Sequence, residues 1–337
     1  VGEKVVRVTE PATLQHPADP APERRRVAAV DCGTNSIRLL VADVADDGTL
    51  REVERRTTIV RLGQGVDRTG ELHPDALERT FAATREYAEV VRATGAQEVR
   101  FVATSATRDA RNREAFVDGI VDALGVAPEV VSGDEEAGLS FRGATGAVSA
   151  SHAGPFLVVD LGGGSTELVL GTEAPEAALS MDVGSVRLTE RHLRSDPPTE
   201  AEIEAARADV RQALDAAAAV VPLGRTTTLV GLAGSVTSVT AYALGLPSYQ
   251  RERVDGAQLS VEQVLEACER LLHMTRQERL ALGFMHPGRA DVIGAGALVW
   301  GEVVARVRDE VAAHGGALTA VVTSEHDILD GIALSVA

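Results

Sequence analysis

Short apolar runs alternate with longer stretches of helical period along this chain, and the alternation restarts half-way. From residue 27 it predicts strands over Val27–Asp31, Ile37–Val44 and Arg51–Arg61. Runs this short, bounded by Gly, Asp and Asn, read as strands rather than helices. His73-Pro74-Asp75 then opens a helix to about Ala93, with Pro at a first-turn position that needs no N–H. Glu98–Ala103 reads as a buried strand, 108–124 as a helix and Pro128–Val131 as a strand. A further helix starts near Asp134, capped by Ser132 or Asp134. The second half begins again with strands at Phe156–Asp160, Thr166–Gly171 and Ala177–Val183. Pro198-Thr199-Glu200 opens an Ala-rich helix to about Val220, and Thr227–Ala233 is a buried strand running into a helix at Gly234-Ser235. Helical segments fill 260–310, Leu318–Thr323 is a last strand and 325–335 a last helix. Both halves therefore read as one α/β unit of three strands followed by crossover helices, and the expected domains are 27–140 and 141–337. Residues 1–26 hold Pro11, Pro17, Pro20 and Pro22 without sustained period, which predicts an extended or disordered tail.

Composition narrows the partners. A chain of 337 residues with 45% hydrophobic content fits two cores, packed by Val, Leu and Ala because aromatics reach only 3%. The net charge of -17 argues against general binding of nucleic acid or membrane surfaces, while leaving room for a local basic groove. Cys32 and Cys268 allow no disulfide framework and no zinc spacing. With no apolar run of ~18 residues and no secretory h-region, the expected location is cytoplasmic.

Two turns carry the chemistry. Asp31-Cys32-Gly33-Thr34-Asn35-Ser36 and Asp160-Leu161-Gly162-Gly163-Gly164-Ser165-Thr166-Glu167 share one grammar: an apolar run, Asp, a Gly-containing turn with Ser, a second apolar run. Glycine lets the backbone approach closely, and successive N–H groups and hydroxyls favour an anion in the gap. Each turn alone is also an ordinary hairpin. Together they point to a cleft that grips phosphates, with an acid in each loop for a metal or a water. Ser132-Gly133-Asp134-Glu135-Glu136-Ala137 gathers acids at a helix start, where the helix dipole alone also favours them. Gly231-Leu232-Ala233-Gly234-Ser235 ends a strand and enters a helix, either an anion site or a close-packed turn. Thr104-Ser105-Ala106-Thr107-Arg108, with Arg111 and Arg113 beyond it, follows a buried strand where clefts of α/β sheets lie. His73, His286 and His326 lack metal-site spacing, and Cys32 reads as a buried filler.

Taken in order, these five segments resemble the exopolyphosphatase and guanosine pentaphosphate phosphohydrolase family, from about residue 27 to the end. The Asp-Leu-Gly-Gly-Gly-Ser-Thr-Glu string is the specific element; Asp-x-Gly-Thr also suits sugar kinases and actin-like ATPases. The resemblance implies an α/β fold of duplicated ribonuclease-H-like domains of the actin-like ATPase superfamily, with the active site between them. It implies release of terminal phosphate from inorganic polyphosphate or guanosine pentaphosphate, with Mg²⁺ or Mn²⁺, and a homodimer. Glu136 becomes the catalytic carboxylate; Asp160 and Glu167 become the metal-holding pair, joined by Asp31 through water. Phosphate contacts fall on Gly33, Thr34, Asn35, Ser36, Arg108, Gly162, Gly163, Gly164, Ser165, Thr166, Gly234 and Ser235. Two departures stand out. Residues 324–331 read Ser-Glu-His-Asp-Ile-Leu-Asp-Gly where members often carry Arg-Glu-Gly, so no role is carried over there. The sequence runs to residue 337 without the extra C-terminal helical domains of long members, so the resemblance implies a preference for shorter polymers or lower processivity. Two other readings stay open: an ATP-dependent sugar or acid kinase on the same fold, and a guanosine tetraphosphate sensor with little turnover. A pure sensor needs no water-activating acid, which Glu136 supplies.

Overall fold

A computed structural model describes residues 24–336. The expected tail lies outside the described residues except at Arg24, Arg25 and Arg26, which already belong to the first strand. The first sheet holds β1 (Arg24–Cys32), β2 (Ser36–Ala45), β3 (Leu50–Ile59), β4 (Glu98–Ala103) and β5 (Glu129–Val130), in the order β3-β2-β1-β4-β5. The second holds β6 (Phe156–Leu161), β7 (Thr166–Gly171), β8 (Pro175–Met181), β9 (Thr228–Leu232), β10 (Gln258–Ser260) and β11 (Ala320–Thr323), in the order β8-β7-β6-β9-β11-β10. Apart from the added β10, the two orders match position for position. Three strands run antiparallel in sequence, then two parallel strands follow by crossover. This is the ribonuclease-H-like arrangement in duplicate that characterises actin-like ATPases.

Around the first sheet lie α1 (Val66–Thr69), α2 (Pro74–Thr94), α3 (Ser105–Asp109) and α4 (Arg113–Leu124). Next comes α5 (Gly133–Val148), and the second lobe carries α6 (Ser185–Arg191), α7 (Glu200–Ala218), α8 (Ala233–Ala243), α9 (Arg251–Val254), α10 (Val261–His273), α11 (Arg276–Leu280) and α12 (Ile293–Ala313). The last helix, α13 (Ile328–Val336), returns to the first sheet although β11 before it belongs to the second. Its Ile328, Leu329, Ile332 and Ala333 join Val27, Ala29, Leu40 and Ala42 in one buried cluster. Helix α5 buries Ala137, Phe141, Ala144 and Val148 against Phe156, Val158 and Val169 of the second sheet. The pair α5 and α13 thus forms the layer between the sheets. They cross so closely that a Cβ on Gly143 would lie 1.9 Å from the Asp327 carbonyl, and one on Gly331 2.0 Å from that of Leu139.

The structure divides one helical stretch that the sequence pattern joins. Residues 108–124 form α3 and α4, because the Asn112 side chain leaves the helix to accept from Leu72 N–H and donate to Leu72 O. The helical segments expected over 260–310 are three helices, with the short strand β10 before them. None of the described helices is long and apolar enough to cross a membrane.

Candidate active site

Both loops close alike. In the first, Gly33 N–H donates to Ser36 O at 2.9 Å; in the second, Gly162 N–H donates to Ser165 O at 3.0 Å. The tips meet across the lobes. The hydroxyls of Thr34 and Ser105 lie 2.8 Å apart, and a Cβ on Gly164 would come within 2.6 Å of each oxygen. Between the loops opens a cleft of about 760 Å³. Asp31, Gly33, Thr34, Asn35, Ser36, Glu136, Asp160, Gly162, Gly163, Ser165, Gly234 and Ser235 all line it. The third contribution depends on Ala233, whose φ of 69° is left-handed. That turn ends β9 and brings the start of α8 to the cleft, at a cost of about 1–2 kcal/mol for a residue with a Cβ.

Glu136 sits in the first turn of α5, whose start is capped by Ser132 Oγ accepting from Glu135 N–H. Its carboxylate is buried, and Oε2 accepts from Arg108 Nη1 at 2.9 Å. Burial, then the nearby Glu167, push the Glu136 carboxyl well above its ordinary range, against the pull of Arg108. Arg108 also donates to Val131 O and does not line the cleft. The arginine expected to contact phosphate is therefore, in this structure, the partner of the buried acid.

Three other expected site residues lie behind the cleft wall. Thr166 Oγ1 donates to Val183 O at 2.7 Å within its own lobe. Gly164 occupies the seam between lobes. Glu167 is buried, and its Oε1 accepts from Ser180 Oγ at 2.6 Å. Asp160, its cross-strand neighbour, accepts from Ser140 Oγ at 2.6 Å. Burial and then Asp327 raise Asp160 to about 6; burial and then Asp160 raise Glu167 to about 7.

The carboxylates of the site can be weighed against a hard cation. Among the described residues no three His, Cys, Asp or Glu side chains gather into a metal-binding group. Mg²⁺ nevertheless needs only one or two carboxylates when water and phosphate supply the other oxygens. Asp160 and Glu167 face each other across β6 and β7 and could meet that need. Asp31 does not. Its Oδ2 accepts from Arg38 Nε at 2.9 Å and Nη2 at 2.7 Å, and Arg38 Nη1 also donates to Asp327.

Arg38 was legible in principle, because a closed hairpin makes Asp31 and Arg38 cross-strand partners. Arg289 was not: it arrives from far along the chain. It lines both the cleft and an adjoining cavity of about 1150 Å³. Among the described residues its guanidinium has no hydrogen-bond or ion-pair partner, and burial lowers its pKa. A cation left unpaired beside two glycine loops is placed for an anion.

Residues 40–321 match the model of the Ppx/GppA phosphatase family. The chain belongs to that family. It is a hydrolase of the exopolyphosphatase type. It is 51% identical to exopolyphosphatase 2 of Mycobacterium tuberculosis, over 93% of this chain and 98% of that one. A solved exopolyphosphatase-like protein superposes with a TM-score of 0.90 at 50% identity, covering 93% of this chain and 98% of the other. The Aquifex aeolicus PPX-GPPA enzyme gives 0.75 at 28% identity, over 93% and 100%.

Proposed function

We propose that this chain releases the terminal phosphate of inorganic polyphosphate by Mg²⁺-dependent hydrolysis. One observation carries the reading: two glycine loops from two lobes converge on a cleft that also holds a buried carboxylate and an unpaired arginine. The backbone around Gly33–Ser36, Gly162–Ser165 and Gly234–Ser235 cradles the terminal phosphates. Arg289 adds a charge-assisted contact. Glu136 orients the attacking water and accepts its proton, a role helped by a pKa that burial raises well above the ordinary carboxylate range. Asp160 and Glu167 would hold Mg²⁺, or Mn²⁺ in its place, which when bound neutralises phosphate charge. Asp31 stays with Arg38.

Arg38, Arg55 and Arg289 line the cleft and the cavity beside it together with Asp31, Glu136, Asp160, Glu325 and Asp327, so against the overall charge of -17 a polyanion would rely on the unpaired Arg289, the loop N–H groups and bound Mg²⁺. Guanosine pentaphosphate is the second reading. Tyr249, Phe284, Met285 and His286 give the adjoining cavity a face on which a base can lie.

The test is phosphate release with Mg²⁺ from short polyphosphate, long polyphosphate, guanosine pentaphosphate and ATP, side by side with Glu136→Gln. Release from polyphosphate, lost in the variant, supports the proposal. Release from guanosine pentaphosphate alone moves it to the second reading. Phosphoryl transfer from ATP to an acceptor indicates a kinase. Alarmone binding without release indicates a sensor.

A further inference from the structure

A separate contact between the lobes lies at the tip of the second loop. Arg187, in α6, leaves only 12% of its side chain exposed. Its Nε donates to Gly164 O at 2.6 Å, Nη1 to Asp67 Oδ1 at 2.8 Å and Nη2 to Asp109 Oδ2 at 2.5 Å. Its backbone N–H donates to Gly163 O at 3.1 Å. Gly163 and Gly164 belong to the second lobe, Asp67 and Asp109 to α1 and α3 of the first. One residue therefore grips the loop by two carbonyls and the opposite lobe by two carboxylates. Neighbours on α6 support it. Arg191 donates to both oxygens of Asp67, and Glu190 accepts from Gly65 N–H at 3.0 Å.

Helix α3 links this contact to the chemistry. Asp109 follows Arg108, which holds Glu136, and Ser105 at the other end of α3 touches Thr34 beneath Gly164. We propose that Arg187 is a positioning residue, a clasp that fixes the second phosphate loop against the first lobe and so sets the closed cleft. The planar guanidinium suits this task because its donors point in fixed, divergent directions, which an ammonium cannot reproduce. Without it, Asp109 loses its cation and Asp67 keeps only Arg191, so the second loop is no longer tied to the first lobe and the lobes part more readily. Substrate then binds a cleft that is closed only part of the time. Apparent affinity falls by that fraction, while turnover of the closed form persists.

The kinetic part rests on the proposed hydrolysis; the clasp itself does not. The experiment compares Arg187→Met, Arg187→Lys and the double variant Asp67→Asn/Asp109→Asn with the parent. Small-angle X-ray scattering is recorded without substrate, and kcat and KM are measured for phosphate release from polyphosphate. Arg187→Met should show a larger radius of gyration, with KM raised at least about 10-fold and kcat held within about 3-fold, as a pure loss of the binding-competent fraction requires. The double variant should do the same, and Lys should recover part of the affinity. Scattering that superposes on the parent's, or an unchanged KM, overturns the proposal. If Arg187→Met does not fold, the double variant leaves the Gly164 contact intact and carries the same test. If the parent releases no phosphate from polyphosphate, the hydrolysis reading fails and scattering alone decides on the clasp.

Discussion

Arg108 Nη1 donates to Glu136 Oε2 at 2.9 Å, joining the acid proposed to handle water to a cation behind it. Burial and Glu167 favour the protonated acid, and Arg108 favours the carboxylate. The arginine thus decides over what pH range the base is available. A general base works only when deprotonated, so the rate must rise with pH through the pKa of Glu136. In Arg108→Met that pKa goes further up, and the acid limb of the kcat profile should move to higher pH. A limb that stays in place would mean that some other group titrates.

Glu136→Gln separates chemistry from binding. The amide fills the same space but takes no proton. Phosphate release should fall roughly 10²–10⁴-fold with KM largely kept, because the loops and Arg289 still hold the substrate. A matching loss of polyphosphate affinity would place Glu136 in binding rather than in proton transfer.

Much of this site was legible because it is local. Hairpin closure sets Asp31 opposite Arg38 and Asp160 opposite Glu167, and both pairs follow from counting residues out from the turns. The duplication of the α/β unit followed from the repeated apolar runs. What escaped the sequence depends on tertiary placement. Nothing near Arg289 marks it as a cleft residue, and nothing around Ile328 shows that α13 packs on the first sheet. Arg108 was found as a residue but not as a contact, since only the fold brings α3 beside α5.

The loop glycines differ in how much room they have, and their alanine variants should rank accordingly. A Cβ on Gly33 would meet nothing nearer than 3.6 Å, an ordinary contact. On Gly162 it would lie 3.1 Å from the Ser165 carbonyl; on Gly164 it would lie 2.6 Å from both Thr34 Oγ1 and Ser105 Oγ. Gly33→Ala should keep activity within a few-fold. Gly164→Ala wedges the lobes and should lower kcat/KM by about 10²-fold, the scale of a ~1 Å misplacement. Steady-state kinetics on the three variants check the order, and equal behaviour of Gly33→Ala and Gly164→Ala would refute it.

The acidic pair makes a prediction for stability whose sign is unusual. Asp160 is raised to about 6 and Glu167 to about 7, above the ordinary 3.8 and 4.5, chiefly by burial. A group whose folded pKa exceeds its unfolded value stabilises the fold below the unfolded value and loses that contribution as pH rises through the folded one. The protein without divalent cation should therefore have a lower Tm at pH 8 than at pH 6. His326, raised by its hydrogen bond to Asp330, tilts the same way, so a control is needed. Glu167→Gln keeps an acceptor for Ser180 Oγ and removes the paired charge. It should flatten the slope and raise Tm at pH 8, by a stability gain of about 1–2 kcal/mol. Adding Mg²⁺ at pH 8 should raise the parent's Tm, because a cation at the pair binds only the folded state. The variant should respond far less. Equal Mg²⁺ responses in the two proteins would remove Glu167 from the metal site, whatever the substrate proves to be.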